Sequence, residues 1–324
     1  MRVPEMSPRV YRRLTLTIVA LLAVIIVTGA AVRLTNSGLG CPDWPNCNPQ
    51  NFVSVGNHHQ AIEQLNRLIS GAIGLPIGLA LLASYRRRPR RRDLISLAWV
   101  LFALFWGEAV LGGIAVRVQL AWVSVMGHFL LAIALVGVAL TMHRRAGEPD
   151  TDARYVVSYT ARLAARAVYV IAIWVLIAGT LVTAAGPHGG DFKAKRLSWP
   201  ITDVARVHGV SVNIFIAAVL ALIALLWRER APKRVMNAAE ALLAVMVVQA
   251  VIGYVQYFNA LPPLLVGFHV AGAVLVYGAV HQLQLELRVR GATPESLPGV
   301  AEPGTSVGGS WLPVQSSTRG QAST

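Results

Sequence analysis

Charge is what this chain has least of. Only 15 of its 324 residues are Asp or Glu, and charged residues of both signs make up 14%. A soluble domain of this size carries about 25%, so a large water-facing surface is excluded. Cysteine is nearly missing as well, at two residues, too few for a cysteine-built metal site, which takes three or four ligands. The first apolar run has no small-residue cleavage site directly after it, which sets it apart from a secretory signal.

What the chain has instead is apolar length. Hydrophobic residues make up 55% and the mean hydropathy is +0.56. Eight runs are each near the roughly 20 residues that cross a bilayer: 14–32, 61–84, 94–116, 122–142, 165–184, 204–227, 237–257 and 264–283. Lipid leaves no partner for open sheet edges, so these runs are expected to be helices. Of 29 Lys and Arg, 22 fall on the side of the chain ends, in the N-terminal arm, Arg86–Arg92, Arg144–Arg166, Arg228–Arg234 and the tail. This is the positive-inside bias, and it places both termini in the cytoplasm. The net charge of +14 therefore points to lipid and not to nucleic acid. Lys193, Lys195 and Arg196 run against the bias, either as a solvated loop or as an anionic contact.

Cys41 and Cys47 share the first outer loop, separated by PDWPN. An intraloop disulfide is favoured there over two free thiols. In the second span, Glu63 and Arg67 are four residues apart and so share a helix face. They read either as an interfacial ion pair or as an acid and a base facing a polar ligand. Pro76 should kink that span. Glu108 lies within the third span, where Gly112 and Gly113 would allow close helix contact. His143 and His281 read as solvated, and His188 as a weak candidate.

An internal repeat orders the polar residues. His269 follows His128 by 141 positions, as Gln249 follows Glu108 and Gly253 follows Gly112; His208 follows Asn66 by 142. Four spans per half give both halves the same orientation, a parallel repeat. A histidine within a membrane span is costly and marks function. His208 and His269, on separate helices at one depth, suggest axial ligands of haem iron. In the first half His128 is the equivalent of His269, and Asn66, a poor iron ligand, stands where His208 has its counterpart. His59 is an alternative ligand two turns before Asn66, though its place near the helix end favours an interfacial role.

The loop VRLTNSGLGCPDWPNC, the Glu63-x-x-x-Arg67 element and His128, His208 and His269 together resemble the haem A synthase family, over residues 14 to about 285. The resemblance implies an all-α integral membrane protein, eight transmembrane helices in two pseudo-twofold-related four-helix bundles. It implies a substrate bundle at 14–142 and a cofactor bundle at 165–285, while charge and composition give a basic arm at 1–13, a linker at 143–164 and a disordered tail at 286–324. It further implies haem b held by His208 and His269, haem O as substrate near Asn66, Arg67 and His128, and Glu63 as the catalytic acid. His128 would bind the substrate iron, and Arg67 a propionate. The activity implied is oxidation of a haem O methyl to a formyl group in the plasma membrane. Haem O synthase and cytochrome oxidase assembly proteins would be its partners, and no residue points to an electron donor. A dihaem b-type electron carrier is the alternative; it should have two complete ligand pairs. A transporter would leave the histidine pair and the cysteine loop unexplained.

Overall fold

The computed structural model describes residues 5–291. Each of the eight apolar runs forms a helix, in the order α1 (Pro8–Leu34), α2 (His58–Arg86), α3 (Arg92–Arg117), α4 (Trp122–Ala146), α5 (Tyr159–Ala185), α6 (Ile201–Arg228), α7 (Lys233–Phe258) and α8 (Pro263–Glu286). All eight are long and apolar enough to cross a membrane. Even the shortest, at 24 residues, spans about 36 Å at the helical rise.

Helix starts follow local chemistry. Ser7 accepts the Val10 amide just before Pro8, Asn57 accepts the Gln60 amide, and Ser158 accepts the Ala161 amide. These side chains satisfy amides that the first turn leaves without partners. Arg33, Arg86, Arg117 and Arg228 sit in last turns, where a cation complements the helix dipole. Pro76 lies inside α2, which continues past it.

The helices form two rings. In the first, α1 packs on α2 and α4, and α3 also packs on α2 and α4. In the second, α5 packs on α6 and α8, and α7 packs on α6 and α8. The seam between them uses α1 with α8, α4 with α5, and α4 with α8. Exchanging the two halves maps this set of contacts onto itself. Residues such as Leu22, Ile77, Leu101 and Ile133 fill the core of the first ring, with Val168, Val219, Leu242 and Leu283 in the second.

The repeat extends to the backbone. The α3–α4 turn has left-handed residues at Gln119 and Leu120, with φ of 56° and 54°. The α7–α8 turn has them at Ala260 and Leu261, with φ of 59° and 58°, again 141 positions on. None is a glycine, so each carries the steric cost of that region. The same strained hairpin is thus built twice.

Several expectations change at the end where α1 begins and α8 finishes. The arm expected at 1–13 is helix from Pro8 onward, where α1 begins. The linker expected at 143–164 is shorter, because α4 runs to Ala146 and α5 begins at Tyr159. Within it, β1 (Ala153–Tyr155) pairs antiparallel with β2 (Arg288–Arg290). The disordered tail expected from residue 286 is therefore ordered through this strand, and the rest of that tail lies outside the described residues. Among the described residues the fold is helical apart from this short ladder and a single bridge between Met6 and Arg87, and backbone pairing accounts for the ladder where side-chain hydrophobicity does not.

An ion network closes the same end. Arg144 on α4 meets Glu286 on α8 at 2.8 Å and Glu148 at 2.8 Å, while Arg290 approaches Glu148 at 3.6 Å. Arg91, 1% exposed at its side chain, pairs with Asp93 and Asp150. The Arg144–Glu286 pair ties one ring to the other.

Candidate functional site

The polar residues of interest gather at the opposite end, beneath the long α1–α2 and α5–α6 loops. His128 is the seventh residue of α4, and His269 the seventh of α8. His208 and Asn66 lie within the first three turns of α6 and α2.

The structure brings His208 and His269 together. Their ring centroids are 6.4 Å apart at an interplanar angle of 81°. Each ring lies across a glycine of a neighbouring helix. A β-carbon on Gly179 would stand 3.2 Å from His208 Cε1, and one on Gly253 would stand 3.0 Å from His269 Cε1. The carbonyls of Val175 and Gln249, each four residues before its glycine, lie toward these rings. Neither reaches Nδ1 with hydrogen-bond geometry, so both Nδ1 atoms are buried and unpartnered. Gln249 instead donates to the His269 carbonyl at 2.7 Å.

This arrangement fits an iron porphyrin. Two imidazoles on separate helices oppose one another, and glycines leave each ring room to lie flat against the helix behind it. Among the described residues no group of three or more His, Cys, Asp and Glu gathers as a metal site, whereas haem needs only two axial side chains. A cavity of about 270 Å³ opens between α5 and α6, lined by Ala178, Leu181, Trp199 and Val207 among others; His208 and His269 do not line it.

His128 repeats half of this geometry. It lies across Gly112, where a β-carbon would be 3.2 Å from its Cε1. Four residues before that glycine is Glu108, whose Oε2 is 2.6 Å from His128 Nδ1. The contact is close but off-line for a hydrogen bond, and Glu108 Oε1 is buried without a partner. Gly112 thus receives an imidazole, and Gly113 receives the indole of Trp44, whose ring atoms would lie 2.6 Å from an added β-carbon. The close contact expected of this glycine pair is with these two rings.

Asn66 is turned to another neighbour. Its Oδ1 accepts the Thr28 hydroxyl at 2.8 Å. Gly29, the next residue of α1, has no atom within 4 Å of a built β-carbon. The first ring has open space on α1 where the second ring has an imidazole against α5.

Glu63 and Arg67 bind the cysteine loop. Cys41 and Cys47 form a disulfide, and both are fully buried. Glu63 is 5% exposed. Its Oε2 accepts the Cys41 amide at 2.7 Å, and its Oε1 accepts Arg67 Nη2 at 2.6 Å. Arg67 also donates to the carbonyls of Cys41, Asp43 and Asn46 at 3.0, 2.8 and 3.2 Å. Glu63 and Arg67 form the expected ion pair, and it is built into the loop. Arg117 donates to the Trp44 carbonyl at 3.0 Å, and His59 meets the Ser37 hydroxyl at 3.0 Å. The loop is therefore fastened to α2 and α3 above His128 and Asn66.

Two histidines expected to be solvated are hydrogen-bonded. His143 meets Thr15 at 3.1 Å. His281 meets Thr141 at 2.8 Å and Tyr169 at 3.2 Å, and Tyr169 meets Tyr277 at 3.1 Å. His188 reaches the Leu261 carbonyl at 2.9 Å, joining the second outer loop to the α7–α8 turn. The glycine partners were not foreseen for Gly179. Its one sequence signal is a small residue at the depth of His208 on a neighbouring helix.

Eight spans in two matching rings, with imidazoles seated on glycines at one depth, define a multi-pass membrane protein whose halves repeat one plan. The COX15-CtaA family model, described as cytochrome oxidase assembly protein, matches residues 12–61 and 52–187, more than half of the chain. The chain belongs to that family. It is 31% identical over 149 residues to a protein named Heme A synthase from Shewanella oneidensis, a stretch covering 41% of this chain and 44% of that relative. It is 29% identical over 116 residues to Heme A synthase from Geobacillus kaustophilus, covering 36% of each. It is 33% identical over 96 residues to Heme A synthase from Bacillus mycoides, covering 29% of this chain and 31% of that protein. The chain thus spans less than half the length of these relatives.

Proposed function

We propose that this protein is a haem A synthase, which oxidises a methyl group of haem O to the formyl group of haem A. The observation that carries the reading is the unequal equipment of two matching rings. The second ring has the opposed pair His208 and His269. The first has His128; Asn66, the counterpart of His208, is held by Thr28, and Gly29 faces open space. A carrier of two haems would be served by two full pairs. An enzyme needs one permanent cofactor and one site its substrate can enter and leave.

In this reading the second ring holds haem b through His208 and His269, and haem b supplies electron transfer when bound. The first ring takes haem O, with His128 as the side chain facing its iron. The methyl is hydroxylated twice, each time a two-electron oxidation in which an external oxidant takes the electrons and one oxygen atom is added, and the resulting geminal diol loses water without further oxidation to give the aldehyde. Glu63, buried beside the substrate bundle, is the acid of the site. Arg67 and Glu63 also hold the disulfide loop over the first ring, and this cover limits water at the reacting face. Trp44, packed on Gly113, extends the cover.

The protein lies in the plasma membrane with both termini cytoplasmic, as the distribution of Lys and Arg supports. Haem O synthase would supply the substrate, and oxidase assembly would take the product.

The test is pigment analysis of purified variants in cells supplied with haem O. His208→Ala and His269→Ala should lose the bound haem b spectrum. Glu63→Ala should keep that spectrum and form no haem A. Normal haem A formation by Glu63→Ala would remove Glu63 from the site, and two haem B per wild-type chain with no haem O or haem A would mark a carrier instead.

A further inference from the structure

At the end that carries the β1–β2 ladder, a cavity of about 440 Å³ lies where α4, α5, α8 and β2 meet. Arg162, Arg166 and Arg288 line it, together with His281 and Tyr169, and no acidic side chain does so among the described residues. This sets it apart from the network beside it. Arg91, Arg144, Arg234 and Arg290 each have a carboxylate within 4 Å. The three cavity arginines have none among the described residues.

Arg162 is nevertheless held in place. The Arg162 guanidinium lies over the Tyr155 ring at 4.4 Å and the Tyr159 ring at 5.3 Å. Stacking of this kind fixes the plane of the fork and leaves its edge free to donate. Its Nε is buried without a hydrogen-bond partner. Arg166 is one turn further along α5, on the same face. Arg288 stands opposite Tyr155 in the β1–β2 ladder. Three guanidinium groups around one space repel each other unless an anion sits between them. Fork-shaped donors suit phosphate oxygens.

The walls say which phosphate. Val170, one more turn along the Arg162–Arg166 face, is 67% exposed; Leu285 and Leu287 add apolar wall, and Thr141 and Gln284 add polar wall. Cation, cation, then apolar side chain at four-residue steps on a spanning helix is the polarity of a lipid. We propose that this cavity binds the phosphodiester headgroup of an anionic phospholipid, with its acyl chain following α5 past Val170. The lipid joins α5 to β2, and so fastens the segment after α8 to the second ring. Anionic lipid is enriched on the side toward which basic segments turn.

The probe is phosphatidylglycerol added to the full-length protein in neutral detergent, with retention read by native mass spectrometry and melting read by helical circular dichroism. Wild type should hold one phosphatidylglycerol and melt higher with it than with phosphatidylcholine. Arg162→Ala with Arg166→Ala should bind it about thirtyfold more weakly, as expected for two basic side chains at the surface. Arg162→Lys with Arg166→Lys, which preserves charge and removes the fork, should fall between. Equal retention by the alanine pair would overturn the proposal. So would equal loss in the control Arg86→Ala with Arg92→Ala, which marks general surface attraction. Equal protection by millimolar inorganic phosphate would show a free-anion site and overturn the lipid assignment. Elution volume and helicity without lipid establish that each variant is folded before it is compared.

Discussion

His269 lies across Gly253 as His128 lies across Gly112, with a built β-carbon 3.0 Å and 3.2 Å from Cε1 in the two cases. The missing side chain lets the imidazole rest against the helix behind it, and this fixes the direction in which the far ring nitrogen points.

Substitution at that glycine should therefore act on the ligand before the fold. Gly253→Leu is expected to push the His269 ring out of line and to lose most of the bound haem b, read as the ratio of haem absorbance to protein. Gly71→Ala is the control, since nothing lies within 4 Å of its built β-carbon. It should keep the pigment and gain up to about 1 kcal/mol of helix stability.

Asn66→His should complete the first ring's ligand pair in the space left open at Gly29. The expected result is a protein that retains more haem O through purification and releases less haem A. Extraction and chromatography of the pigments measure both. Unchanged haem O content would show that residue 66 does not face the substrate.

Arg67 donates to three loop carbonyls and to Glu63. Arg67→Ala removes all of these and leaves Glu63 buried without its cation, a change that costs about 3 kcal/mol or more. The loop should loosen, and Cys41 and Cys47 should become quicker to reduce and alkylate. Arg67→Lys should not restore protection, because one ammonium lacks the fork that reaches several carbonyls at once.

Glu286 accepts Arg144 from the other ring and approaches Arg234 at 3.7 Å. Glu286→Ala leaves Arg234 without a carboxylate among the described residues and Arg144 with Glu148 alone. It should lower stability by about 3 kcal/mol, seen as earlier loss of helical signal on heating. The haem b spectrum at low temperature should be unaffected, since the network lies at the far end of the helices.

Much of the fold was legible because it is set by local chemistry. All eight spans follow from apolar length, and the equivalence of His128 with His269 follows from a constant offset. The β1–β2 ladder was not legible, because Ala153–Tyr155 and Arg288–Arg290 are short, polar and far apart in sequence. Their pairing is decided by helix packing that brings the ends of α4 and α8 together. His143 and His281 were misplaced for a related reason. A histidine beside charged residues at a helix end looks solvated until the neighbouring helix supplies Thr15, Thr141 or Tyr169. Glu63 and Arg67 were legible as a pair from their spacing, while their hold on the cysteine loop depends on a fold of that loop which no periodicity encodes.

The left-handed turns at Gln119–Leu120 and Ala260–Leu261 make each hairpin a ruler. Glu108 and His128 are separated by 20 positions, as are Gln249 and His269, and each turn lies between them. One residue added between the glycine and the histidine would swing the ring by about 100° around its helix axis, away from the glycine that seats it. The strained backbone keeps two distant measuring marks in phase, and so the distance along the chain is conserved between the halves even where the side chains at the turn are not.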